Sequence, residues 1–229
     1  MRYDTVFLDV DATLLWVDLD VEGYVRDLAP YSANGGLSVE KASGPVRETM
    51  HRHIQENIKH RTEDDLADFK LHNAEITAEA LGIEAPTNVL AEVADRGISF
   101  NPYPESESVL EELRAMGVSL YVVSNWDILL EGVLTDLGWR DYFDGVIVSA
   151  VVGSEKPERD IFEEALRMSG KLDRRESVIH VGNDPVTDIR GAAQSGLDTL
   201  LVSRKNNTNA PEATFAAPDL NGLPALVRG

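Results

Sequence analysis

Cysteine is absent from all 229 residues, which excludes disulfides, thiol nucleophiles and cysteine metal sites. Long apolar runs are missing too. No segment approaches the roughly 20 apolar residues of a membrane span, and the opening "MRYDTVFLDVDATLL" lacks the uninterrupted apolar core of a signal peptide. Positive charge is scarce, with 21 Lys and Arg against 40 Asp and Glu. The formal net charge of -19 repels a phosphate backbone or an anionic lipid surface at long range, so neither nucleic acid nor membrane is expected as a partner. The chain contains no G-x-x-x-x-G-K-[ST] phosphate loop, no internal repeat and no low-complexity tract. A cytoplasmic address is the expectation.

What is present suits a folded chain with a large core: 43% of residues are hydrophobic and 27% charged. Short β-rich runs alternate with helical stretches. "TVFLDV" comes first; then, after the helix "SVLEELRAMG" with its capping Gly117, "VSLYVVSN". "DGVIVSA", the helix "ERDIFEEALRMSG" and "SVIHVGN" follow. "DIRGAAQSG" reads as a short helix stopped by Gly196, and "DTLLVS" as a fifth strand. A last strand is expected at Ala213 to Ala216 and a closing helix from about Asp219. The alternation predicts an α/β fold with a doubly wound parallel, Rossmann-like sheet. Between the first two strands the rhythm breaks. From Trp16 to Ser99 no strand pattern is found, only amphipathic segments near Val21 to Ala33, Val39 to Lys59, Glu63 to Leu81 and Thr87 to Arg96. A crossover needs only about a dozen residues. Residues 16–99 are therefore expected to form an all-helical inserted domain, and residues 1–15 with 100–229 the α/β core.

Ligands of open α/β sheets bind beyond the carboxyl ends of the strands. Asp9 and Asp11 stand at the end of the first strand, Ser124 and Asn125 at the second, Lys156 in the loop after the third, and Asp184 and Asp188 after the fourth. Each motif alone is weak, yet "DVDAT", "VVSN", "EKP" and "GNDPVTD" occur in this order, each at an expected strand end. In this the chain resembles the haloacid dehalogenase superfamily, in its phosphatase branch with a helical cap inserted after the first motif.

The resemblance implies roles. Asp9 would attack the phosphoryl group and become an aspartyl phosphate; Asp11 would protonate the leaving oxygen and then activate water. Ser124, Asn125 and Lys156 would hold phosphoryl oxygens, with Lys156 also balancing the nucleophile's charge. Apart from the resemblance, Trp126 beside the second motif is a candidate to stack on substrate, and equally to pack. Asp9, Asp184 and the backbone carbonyl of Asp11 would ligate Mg²⁺, supported by Asp188. The substrate would be a small phosphorylated metabolite, and the cap would act as a lid. Elementary electrostatics asks for the same components. A phosphate dianion among carboxylates meets a repulsion of about 4 kcal/mol per charge pair at 4 Å with an effective dielectric near 20. A divalent cation and a lysine reverse that sign. A metal-bound Asp9 stays ionised, whereas Asp11 beside it is expected to have a raised pKa.

The family usually places glycine where Ala12 stands, so the turn is expected to differ slightly, because alanine tolerates positive φ poorly. Other readings compete. Asp9, Asp11, Thr13 and Asp20 also occupy ligand positions of a calcium loop, but such a loop wants a preceding helix and a glycine where Leu14 stands. Lys156 alone is an ordinary solvated lysine, Ser124 and Asn125 alone are turn residues, and Asp184 and Asp188 alone flank a helix start. Trp16, Tyr24, Tyr31, Asn34 and the "HRH" at His51 to His53 are weaker substrate-contact candidates, each better explained by packing or a solvated face. Alternative functions are a 2-haloacid dehalogenase, disfavoured by the carboxylate at Asp11, a phosphonatase or a sugar phosphomutase. From a different class come a receiver-like signalling module, about half this length, and a noncatalytic phosphate-binding protein.

Overall fold

The structure, a computed structural model, describes residues 1–33, 36–204 and 210–229. The chain divides into two compact units, residues 1–16 with 101–229 and residues 17–100. Asn34 lies outside the described residues.

The α/β unit contains β1 (Thr5–Leu8), α5 (Ser106–Ala115), β4 (Ser119–Ser124), α6 (Leu130–Asp136), β5 (Gly145–Val148), α7 (Ser149–Val152), α8 (Arg159–Met168), β6 (Val178–Gly182), α9 (Gly191–Gln194), β7 (Asp198–Val202), β8 (Phe215–Ala217) and α10 (Leu223–Arg228). Its six-stranded sheet has the order β5-β4-β1-β6-β7-β8 with every pairing parallel. Strand β1 is a continuous buried run, as a strand covered on both faces must be. Phe7 packs with Tyr121 and Val123 of β4, Ile161 and Phe162 of α8, and Ala192 of α9. Helix α5 packs on β4 and on α10. The order reverses at β1, whose Leu8 pairs with Val122 on one side and Val181 on the other. The residues after Leu8 thus lie at the topological switch point, where such sheets bind ligands. The expected fold class holds, including a last strand close to its expected place. The closing helix starts at Leu223 rather than Asp219, and α6 and α7, a short helix and a single turn, add to the expected elements.

The second unit contains α1 (Val21–Leu28), α2 (Val39–Glu56), α3 (Glu63–Leu81) and α4 (Thr87–Arg96). Side-chain caps start three of them: Asp20 accepts from the Gly23 N–H at 2.8 Å, Ser38 from Lys41 at 3.4 Å and Thr62 from Asp65 at 3.3 Å. Gly82 ends α3 in the left-handed conformation, φ 64°. Tyr24, Leu28, Ala42, Ala74, Ala78, Ile83, Leu90 and Val93 form the core of this unit. One expectation is corrected. Residues 16–99 are not free of strand, because β2 (Leu15–Leu19) and β3 (Ile98–Pro102) form a two-stranded sheet. Five residues with a mixed buried and exposed pattern are too short for periodicity to reveal, and Pro102 disguises the second strand.

Candidate active site

Strand β1 delivers Asp9 to the switch point with 6% of its surface exposed. Its N–H donates to the Val181 carbonyl at 2.9 Å, which extends the parallel ladder by one residue. The chain then turns sharply. The N–H groups of Thr13, Leu14 and Leu15 all point to the Val10 carbonyl at 3.2, 2.9 and 3.2 Å, and Ala12 N–H reaches the Leu15 carbonyl at 2.7 Å. Ala12 sits at φ 58°, the only non-glycine residue with positive φ among those described. The turn therefore keeps the left-handed geometry expected of glycine, with alanine strained into it, instead of relaxing to another shape.

The Asp9 carboxylate collects three donors. Oδ1 accepts from Ser124 Oγ at 3.1 Å and Lys156 Nζ at 2.7 Å, and Oδ2 accepts from Thr13 Oγ1 at 3.0 Å. Lys156 is 3% exposed, so it is no solvated surface lysine. Its ammonium also donates to Asp188 Oδ1 at 2.6 Å. Burial pushes the Asp9 carboxyl up; Lys156 opposes this and the Asp188 charge reinforces it. For Asp188 burial also acts upward, but the Lys156 charge and the His180 contact outweigh it and hold the carboxyl well below the usual range. Burial would likewise lower the Lys156 ammonium, and the two carboxylates reverse this and raise it. One cation between two buried carboxylates leaves the cluster one negative charge in excess. Asp11, by contrast, has an exposed side chain, so burial falls on the first aspartate of the pair.

The supporting contacts divide the other expected residues. Asn125 clamps the Lys156 main chain at both ends of its amide: Nδ2 donates to the Lys156 carbonyl at 2.8 Å, and Oδ1 accepts from the Lys156 N–H at 2.7 Å. Trp126 is half-buried, its N–H donating to Ser149 Oγ at 3.0 Å. Asp184 caps the π-helical turn Pro185–Arg190, its Oδ1 accepting from the N–H groups of Val186 and Thr187 at 2.8 and 2.7 Å. One Asp184 carboxylate oxygen thus serves as the cap of this turn. Asp188, 1% exposed, ties the second acidic segment to the lysine, with Oδ2 accepting from the Asp184 N–H at 3.0 Å. Gly182 makes this approach possible, because a Cβ there would lie 2.2 Å from Asp188 Cγ.

Three residues of the site have contacts to it that the sequence reading did not assign. His180, fully buried on β6, contacts Asp188 Oδ1 through Nε2 at 3.0 Å and packs edge-on against Phe162. Its place inside "SVIHVGN" was a usable signal, because a polar residue in a run buried on both faces needs a partner. Thr13 donates to Asp9 from four residues away, as a side chain at a strand-end turn does. Arg204 lies over the Tyr103 ring at 3.3 Å and donates to the Thr13 carbonyl at 2.6 Å and to Glu105 at 2.8 Å. It braces the turn from the far end of β7, and no local pattern announces that.

Among the described residues no group of three or more His, Asp or Glu side chains is arranged to hold a metal ion. Two carboxylates and a backbone carbonyl form a hard, all-oxygen donor set, which suits an ion that retains several waters, as Mg²⁺ does. Asp9 retains acceptor capacity on Oδ2, and Asp184 on Oδ2, beyond the contacts above.

Residues 3–196 match the haloacid dehalogenase-like hydrolase family, and the chain belongs to that family of enzymes. It is 29% identical over 232 residues to the glyceraldehyde 3-phosphate phosphatase of Methanothermobacter thermautotrophicus, covering 97% of this chain and 93% of that protein. Its fold is shared with the magnesium-bound YfnB of Bacillus subtilis, at TM-score 0.67 and 18% identity over all of both chains. The L-2-haloacid dehalogenase of Xanthobacter autotrophicus is as similar, at TM-score 0.65 and 21% identity over 99% of both. At these identities the two structures speak for the fold alone. Among the described residues no helix is long and apolar enough to cross a membrane.

Proposed function

We propose that this hydrolase is a Mg²⁺-dependent phosphomonoesterase acting through an aspartyl phosphate on Asp9. The observation that carries the reading is the contrast within the acidic pair. Asp9 is buried and held by Ser124, Thr13 and Lys156, while Asp11 is exposed two residues on. A nucleophile must be fixed in line, and a group that exchanges protons with a leaving oxygen and with water must reach both. Asp9 attacks phosphorus, the P–O ester bond breaks, and the leaving oxygen takes a proton from Asp11. Asp11 then accepts a proton from water as that water attacks phosphorus, releasing inorganic phosphate and restoring the Asp9 carboxylate. Lys156 and Ser124 offset the charge that gathers on the phosphoryl oxygens. Asn125 fixes Lys156 through its main chain, and Asp188 fixes the ammonium itself. Mg²⁺, held by Asp9, Asp184 and the Asp11 carbonyl, would neutralise the dianionic substrate and offset the excess negative charge of the cluster. A haloacid dehalogenase does not require the second carboxylate, which is why the shared fold does not favour that reaction here.

The substrate class is a small soluble phosphomonoester, and the curated relative makes glyceraldehyde 3-phosphate the first compound to try. The test is phosphate release from glyceraldehyde 3-phosphate, other small esters and p-nitrophenyl phosphate, with Mg²⁺ and with chelator. Metal-dependent release is expected, abolished in Asp9→Asn with the fold intact by circular dichroism. Undiminished release from that variant overturns the nucleophile, and halide release from a 2-haloacid without phosphatase activity overturns the reaction class.

A further inference from the structure

His180 is a fully buried imidazole on β6, in register with Phe7 of β1 and Thr199 of β7, and the chemistry at Asp9 and Asp11 does not use it. A polar ring in that place loses its hydration, and an aliphatic side chain would fill the strand at lower cost. What the ring gains is Asp188. Residues 180 and 182 share one face of β6. On that face Gly182 leaves the room, since a Cβ there would lie 2.2 Å from Asp188 Cγ, and His180 Nε2 stands 3.0 Å from Asp188 Oδ1. Phe162 meets the imidazole edge-on at 5.3 Å and 89°, which fixes the plane of the ring.

Against burial, the Lys156 charge and the His180 contact keep the Asp188 carboxyl ionised, and a carboxylate only accepts, so the hydrogen of this contact lies on His180 Nε2. Oδ1 therefore takes two donors, Lys156 Nζ at 2.6 Å and His180 Nε2 at 3.0 Å, while Oδ2 accepts from the Asp184 N–H at 3.0 Å. The Lys156 ammonium is in turn divided between Asp188 and Asp9, at 2.6 and 2.7 Å. Its position is a balance between two carboxylates. His180 offsets part of the charge on Oδ1 and so slackens the pull of Asp188 on the ammonium. Without that donor the ammonium moves toward Asp188 and away from Asp9.

We propose that His180 is a positioning residue of this hydrolase: by donating to Asp188 Oδ1 it sets where the Lys156 ammonium stands between Asp188 and Asp9, and with that how the ammonium meets the phosphoryl oxygens. The catalytic consequence rests on the aspartyl-phosphate reading, whereas the coupling of His180 to Lys156 does not.

The test compares His180→Gln, His180→Asn and His180→Leu in the full chain with Mg²⁺. Glutamine carries an amide N–H as many bonds from Cβ as imidazole Nε2, asparagine stops one bond short, and leucine has no donor. With p-nitrophenyl phosphate, kcat of the leucine and asparagine variants should fall about ten-fold with KM within about two-fold, and glutamine should recover kcat to within about three-fold of the native chain. Phe162→Leu loosens the packing on the imidazole and keeps its hydrogen bond, so it should lower stability and leave kcat within about two-fold. The Lys156 ammonium is followed separately by its nitrogen–proton NMR signal, which should shift in the leucine and asparagine variants and return with glutamine. Where leucine does not fold, glutamine against asparagine decides. Equal kcat in those two, a loss in Phe162→Leu as large as in asparagine, or an ammonium signal indifferent to residue 180 overturns the proposal. If the native chain releases no phosphate from any ester, the hydrolase reading falls, and the ammonium signal alone decides whether His180 positions Lys156.

Discussion

Ala12→Gly should stabilise the α/β unit. At φ 58° alanine occupies the left-handed region, at a cost to an L-residue of about 1–2 kcal/mol, whereas glycine visits it freely. Nothing in the turn lets the alanine escape. Three N–H groups converge on the Val10 carbonyl, Arg204 holds the Thr13 carbonyl and Thr13 holds Asp9, so the conformation is fixed by contacts that do not involve the Ala12 side chain. Glycine returns about 0.4–1 kcal/mol of the gain through the greater freedom of its unfolded chain. The net expectation is a stabilisation of about 0.5–1 kcal/mol. Tryptophan fluorescence isolates the relevant unit, because the three tryptophans, Trp16, Trp126 and Trp139, all belong to residues 1–16 and 101–229. With a urea slope of about 2 kcal/mol per molar, the midpoint should rise by about 0.3–0.5 M. An unchanged or lower midpoint at equal slope would refute the claim that this turn stores strain.

Lys156→Met should destabilise the same unit by about 3–5 kcal/mol at pH 7, since it strands two buried carboxylates without their cation. The deficit should shrink as pH falls and those carboxylates protonate; a loss below about 1 kcal/mol would contradict a buried ion triad. Asp184→Asn separates capping from metal binding. Asparagine caps as well as aspartate, so denaturation without metal should move by less than about 0.5 kcal/mol, while the thermal stabilisation given by Mg²⁺ to the native chain should largely disappear. Retention of that Mg²⁺ response would remove Asp184 from the metal site. Glu163 provides a pH test away from the site. Its pKa is lowered chiefly by the hydrogen-bonded fork with Arg175, at 2.9 and 2.8 Å. The stabilisation is fully present above the unfolded value of about 4.3 and is lost as pH falls through the lower folded value. Glu163→Gln should therefore cost up to about 1 kcal/mol at pH 7 and progressively less as pH falls below the unfolded value, and a difference that does not shrink in acid would show that packing, not charge, is responsible.

Sequence legibility followed the length and regularity of each pattern. The buried strands read clearly because β1, β4, β6 and β7 are nearly continuous apolar runs. The four helices of the second unit read well because an amphipathic pattern holds over two or more turns in each. Strands β2 and β3 were illegible because five residues each are too short for a period to stand out, and Pro102 disguises the second. Contacts made across long stretches of chain were hidden altogether. Arg204 reaches Thr13 across 191 positions, and nothing near residue 204 marks it.

The acidic pair shows where sequence reading ends and geometry begins. Two aspartates at positions i and i+2 on a continuing strand would share one face and one environment, and their like charges would simply repel. Here the strand ends at Leu8, and the chain leaves the sheet through the Val10 turn and the left-handed Ala12. Asp9 remains within the sheet's ladder, buried among Ser124, Thr13 and Lys156, while Asp11 is carried out to solvent. The spacing Asp-x-Asp announces a pair; only the turn makes its members unlike. Because that turn holds residue 12 in the left-handed region, the difference between the two carboxylates and the excess stability of Ala12→Gly have a common structural origin.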